Sequence, residues 1–124
     1  MPGRNILFYA DAQAETRNRL NEAIKQVARI ENIESFQSLE EFSLRLQRPK
    51  DEIASTVLLV GEAQALIKLV GIRKQLGDLR LVIIIPDREK ETIANAHRLF
   101  PRYLSYTDGD FKDVSAVLLN MMHG

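Results

Sequence analysis

Two periods alternate along this chain. Residues 5–10 hold a short apolar run, Ile6-Leu7-Phe8-Tyr9-Ala10, and read as a buried strand. Over residues 12–30 the apolar positions Leu20, Ala23, Ile24, Val27 and Ile30 recur at spacings of three and four. Side chains so spaced share one face of an amphipathic helix. Asp11 stands just before it, where a carboxylate accepts hydrogen bonds from the free amides of a first turn. Residues 32–37, around Ile33 and Phe36, predict a weaker, partly polar strand at a sheet edge. Ser38-Leu39-Glu40-Glu41 matches a capping box and opens a second helix through Leu46, which Pro49 prevents from continuing.

The same alternation fills the second half. Residues 53–60 form a third strand, with Thr56-Val57-Leu58-Leu59-Val60 suited to burial on both faces. A third helix over about 64–76 places Leu66, Leu69, Val70 and Arg73 on one side, and Gly77 suits a left-handed cap. Residues 79–85, Leu-Arg-Leu-Val-Ile-Ile-Ile, are the clearest strand, ended by Pro86. Asp87 then caps a fourth helix over 88–100 with Ile93, Ala96, His97, Leu99 and Phe100 on its apolar side. Residues 102–106 make a fifth short strand. A turn at Thr107-Asp108-Gly109-Asp110 follows, with Asp110 as cap of a last helix over 111–122 that turns Val114, Val117, Leu118 and Met121 inward.

Fully apolar strands alternating with helices imply an α/β fold in which a parallel sheet is covered on both faces. The expected architecture is a doubly wound five-stranded sheet in the order 2-1-3-4-5. With 124 residues and no repeat, linker or low-complexity tract, residues 1–124 read as a single domain around one core.

Composition narrows the function classes. The 17 basic and 17 acidic residues cancel, so no global field draws nucleic acid or an anionic membrane. Arg98 with Arg102 is the one local basic pair that stands out. The chain has no cysteine, which excludes disulfides, thiolate metal sites and thiol catalysis and is consistent with a reducing cytoplasm. The first apolar stretch, Ile6 to Tyr9, is too short for a secretory signal, which needs roughly 7–15 apolar residues, or for a spanning helix of about 20. A soluble cytoplasmic protein is expected.

The layout, and the residues at the strand ends, resemble the response-regulator receiver domain, a flavodoxin-like fold of two-component signal transduction, over nearly the whole chain. The resemblance places the family's two cation-holding acidic residues on Ala10 and Asp11. Its phosphoacceptor falls on Val60, or on Gly61 with a register one residue later. Its hydroxyl residue falls on Pro86, its lysine on Tyr106 and its following proline on Thr107, while Tyr103 matches the aromatic that many receivers move on activation. Only Asp11 keeps the family's residue type among the five chemical positions. Aspartyl phosphorylation needs a carboxylate nucleophile, a cation and donors to the phosphoryl oxygens. Ala10, Asp11, Val60, Gly61, Pro86 and Tyr106 therefore read as a degenerate phosphorylation pocket, that of a pseudo-receiver. Glu62 is the one neighbouring carboxylate that would substitute as acceptor.

Other chemistry is sparse. Asp11 alone lacks the further oxygens that a hard dication requires, and it reads as a helix cap. His97 and His123 have no second imidazole at metal spacing, the six glycines form no phosphate cradle, and Ser105 and Thr107 lack an evident base. No metal, cofactor or catalytic residue is expected. Ligands of open α/β sheets bind at the carboxyl ends of the strands. Here that region would hold Asp11, Gly61, Glu62, Pro86, Asp87, Tyr106 and Thr107, an acidic set unsuited to phosphate. The surface made by the fourth helix, fifth strand and fifth helix carries output in receivers. It would show Arg98, Arg102, Tyr103, Lys112 and Asp113. The expected function is a non-catalytic, phosphorylation-independent signalling module that acts by protein–protein contact. Its partner would be a signalling kinase, a regulator or a second copy in a homodimer, with neither nucleic acid nor membrane as a partner. An atypical phosphoacceptor and a small-ligand-binding flavodoxin-like protein are the alternatives.

Overall fold

The computed structural model describes residues 4–123. Five strands, β1 (Asn5–Asp11), β2 (Ile33–Phe36), β3 (Ile53–Val60), β4 (Leu81–Ile85) and β5 (Tyr103–Tyr106), pair in parallel in the order β2-β1-β3-β4-β5. Six helices connect and flank them: α1 (Ala14–Lys25), α2 (Leu39–Leu46), α3 (Ala63–Gly71), α4 (Arg73–Leu76), α5 (Lys90–His97) and α6 (Lys112–His123). The strand order is the expected one, with β2 at an edge. His123 ends α6, and its side chain lies outside the described residues.

Successive strand residues point to opposite faces, so the continuous apolar runs feed two cores at once. Leu7, Tyr9, Leu58, Val60, Ile83 and Ile85 face the side covered by α2, α3 and α5. Ile6, Phe8, Ala10, Val57, Leu59, Val82 and Ile84 face α1 and α6. Each large aliphatic side chain so buried contributes about 1.5–3 kcal/mol, which is why β4 and residues 57–60 of β3 are apolar throughout. Register aligns Asp11 with Val60 and Ile85 with Tyr106, so the carboxyl ends of four strands meet at one edge.

Several local expectations are corrected. Asp11 does not cap α1: it extends β1 in register with Val60, and Gln13 takes the cap position without a side-chain hydrogen bond. The first helix stops at Lys25, and Ile30 is 68% exposed in a short 3₁₀ turn. The third helix breaks at Gly71–Ile72 into α3 and α4, and Gly77 has positive φ (48°) but ψ of −122°, outside the left-handed helical region. The fourth expected helix, α5, ends at His97 rather than residue 100. Phe100 adopts φ of 53° and is 86% exposed, because Pro101 disfavours a helical residue before it. Ser38 caps α2 as read, its hydroxyl accepting the Glu41 amide at 3.3 Å. Asp110 accepts the amide of Lys112 at 3.0 Å, and Asp87 accepts that of Glu89, the cap of α5, at 3.0 Å.

Candidate functional site

At the carboxyl edge β3 gives way to α3 through Gly61. The Gly61 amide donates to the Asp11 carbonyl at 2.6 Å, stitching the β3–α3 turn to the end of β1. A β-carbon at position 61 would lie 2.8 Å from that carbonyl oxygen and 2.9 Å from Cα of Ala12. Real β-carbons do not approach that closely, so only glycine fits. Val60, one residue earlier, is fully buried in the core beside α3. Ala10 is buried on the opposite face. Neither register of the resemblance puts a reactive side chain at the end of β3.

Beside this turn lies a cleft of about 340 Å³ lined by Asp11, Ala12, Gln13, Thr16, Gly61, Glu62 and Thr107. Four residues expected at the strand ends, Asp11, Gly61, Glu62 and Thr107, therefore share it. Pro86, Asp87 and Tyr106 do not line it, and Gln13 and Thr16 enter because α1 begins two residues later than read. The lining holds two carboxylates and no lysine or arginine, so it repels an anionic group. A divalent cation takes about six oxygen ligands. Among the described residues no group of three or more His, Cys, Asp or Glu side chains could hold a metal. These residues do not fit the cation that receivers bind.

Tyr106 serves a different purpose. Its ring lies 4.0 Å below the guanidinium of Arg88, which also donates to both carboxylate oxygens of Asp108, at 2.8 and 3.2 Å. That hydrogen bonding holds the Asp108 carboxyl below the ordinary aspartate value and raises the guanidinium. On the other side, Arg19 of α1 donates to the Gly109 carbonyl and lies 4.8 Å from the Phe111 ring. Phe111, at φ of 66°, stands just before α6 with its ring buried. Two arginines thus clasp the β5–α6 connection from both ends. Nothing in the spacing of Arg88 and Asp108 or of Arg19 and Phe111 announced these contacts.

Of the five expected surface residues, Arg98, Arg102 and Lys112 are exposed. Tyr103 and Asp113 are half-buried and bonded to each other, the phenol donating to the carboxylate at 2.8 Å. Ser105, for which the sequence shows no evident base, is buried and donates to the same oxygen at 2.7 Å. Burial pushes the Asp113 carboxyl up, but hydrogen bonds from Ser105, Tyr103 and the α6 amides outweigh it and leave the net value lowered. The bond to Asp113, then burial and the carboxylate charge, raise Tyr103. Tyr9 is raised by burial and then by the charge of Asp11. Phe100, assigned to the core by its spacing, instead stands out beside Arg98 and Arg102; the Phe100-Pro101 pair was the signal for it.

Comparison with known proteins supports the architecture. A response regulator CheY-like protein from Mesorhizobium loti superposes with a TM-score of 0.63 at 11% identity, over 97% of each chain. The chain has a receiver-like fold. A CheY-like protein (tadZ) from Pseudomonas aeruginosa PAO1 gives 0.67 at 13% identity over 93% of each chain. A response regulator receiver protein from Pseudoalteromonas atlantica gives 0.62 at 18%, over 95% of this chain and 93% of its own. No protein-family model matches the sequence, and no curated protein matches it either. The receiver-like fold is thus carried by a sequence far from those of these structures.

Proposed function

We propose that this receiver-like domain is a non-catalytic signalling module that works by protein–protein contact without accepting a phosphoryl group. The observation that supports it most is the approach at Gly61. The only side-chain-free residue at the end of β3 is held against the β1–α1 connection, where no acceptor carboxylate fits. The acidic, lysine-free lining of the adjacent cleft supports it further. No described helix is long and apolar enough to cross a membrane. The contact surface centres on exposed Arg98, Phe100 and Arg102, with Lys112 on α6, since arginine and aromatic side chains concentrate where proteins meet. The bonded pair Tyr103–Asp113 borders this surface.

Beryllofluoride with magnesium, which imitates the phosphorylated state of receivers, should leave the amide spectrum and oligomeric state unchanged. A structured response localised around Asp11 and Glu62 would contradict the proposal. Arg102→Glu combined with Phe100→Ser should weaken association with a second copy or a signalling partner while leaving the thermal midpoint in place. Undiminished association would move the contact to another surface.

A further inference from the structure

A second cleft, of about 260 Å³, opens on the far side of α1 from the strand-end site, between α1 and the ends of β1 and β2. It exists because small residues meet there. Ala10 of β1 and Ser35 of β2 leave space under the first turns of α1, where the apolar stripe of Leu20, Ala23 and Ile24 has run out. Arg17, three residues before Leu20 and seven before Ile24, occupies the inward face in place of an apolar residue. The floor is apolar, from Phe8 and Ala10, and the walls carry Arg17, Asn18, Asn21, Ser35 and Gln37.

The chemistry of that lining is specific. Arg17 and Asn21 are half-buried and Asn18, Ser35 and Gln37 exposed, and among the described residues none of the five makes a side-chain hydrogen bond or ion pair within the chain. Elsewhere this protein satisfies its inward-facing arginine: Arg45 is paired with Glu34 at 2.7 Å. A guanidinium on the wall of a cleft, without a counter-charge within the chain and flanked by neutral donors, can receive an oxyanion. One positive charge suits a monoanion better than a phosphate dianion, and the planar fork matches a carboxylate bidentately. The Phe8 and Ala10 floor suits a short carbon body, and the carboxamides can meet a hydroxyl or amino substituent.

We infer that the α1–β2 cleft binds a small organic carboxylate, held by Arg17 and oriented by Asn21 and Ser35. This site is separate from the strand-end cleft and does not depend on the protein-contact reading. Binding there would place a metabolite against the edge of the sheet and tie α1 to β2.

The test is a titration of the isotope-labelled full chain with propionate and lactate, with propylamine and inorganic phosphate as counter-probes, followed by amide chemical shifts. Saturable shifts at Arg17, Asn21, Ser35 and Gln37 are expected with the two carboxylates at millimolar concentration, and none with propylamine. Arg17→Gln should weaken binding by about tenfold or more while the rest of the spectrum stays in place. Ser35→Leu, which fills the cleft from its open side, should abolish it. The absence of saturable shifts, their persistence in both variants, or equal affinity for phosphate would overturn the assignment.

Discussion

At Gly61 the hydrogen bond donated by its amide to the Asp11 carbonyl accompanies an approach of the β1–α1 connection to within 2.9 Å of where a side chain would begin. Any β-carbon there must push backbone atoms, which cannot rotate away as a flexible side chain would. Gly61→Ala should therefore lower unfolding stability by about 1–3 kcal/mol in urea titrations. An unchanged midpoint would show that the connection yields freely. At the opposite end of β3, the hydroxyls of Ser55 and Thr56 are buried without a partner. Thr56→Val keeps the shape and removes an unpaired group, so it should raise stability by about 1 kcal/mol, and a loss would reveal a hidden partner. The ionisable groups behave by sign. Asp113 is lowered in the fold, so its contribution is full above the ordinary aspartate value of 3.8 and is lost as pH falls through the lowered value. Tyr103 is raised, so its contribution is full below the ordinary 10.0 and is lost as pH rises through the raised value. Thermal melts of Asp113→Asn should show a shallower acid limb than the parent, and an identical limb would exclude Asp113 from it.

Between elements, the link that stands apart is Arg45 of α2 to Glu34 of the edge strand β2. Arg45 is 8% exposed; it donates to both carboxylate oxygens of Glu34, at 2.7 and 3.4 Å, and to the Pro49 carbonyl at 3.1 Å. Glu34→Ala leaves a buried guanidinium short of a partner and should cost about 1–3 kcal/mol. Adding Arg45→Met should recover part of that loss, because the uncompensated charge goes with it. Denaturant unfolding of the two variants checks this, and equal stabilities would show that the pair is uncoupled. Element ends, by contrast, were read less well than elements. The stripe of α1 is legible from Leu20 to Ile24; Val27 packs on the core just past the helix end, and Ile30 merely continues the spacing and lies in solvent. Gly71 inside an apolar-periodic segment was a helix-weakening residue, and the chain breaks there. Phe100 fitted the period of α5, yet the following proline overruled it. At Gly71 and at Phe100 a backbone preference beat a side-chain pattern.

For the molecule as a whole, topology was legible because β3 and β4 are apolar on both faces, and only helices on both sides of a parallel sheet bury such strands. The strand-end site was legible in part. Position along the chain identified Asp11, Gly61, Glu62 and Thr107, but it could not tell which way Tyr106 turns, and the Arg88–Tyr106–Asp108 stack pulls that residue away from the cleft. Long-range clasps of this kind, with Arg19 ninety residues from Gly109, leave no local trace in sequence. They tie the β5–α6 connection to α1 on one side and to the β4–α5 connection on the other. Whether this domain takes a phosphoryl group is tested most directly by intact-mass spectrometry of the chain after incubation with acetyl phosphate and magnesium, under conditions that preserve acyl phosphates. No species heavier by one phosphoryl group is expected. A stoichiometric, acid-labile phosphate that disappears in Asp11→Asn or Glu62→Gln would contradict the proposed function.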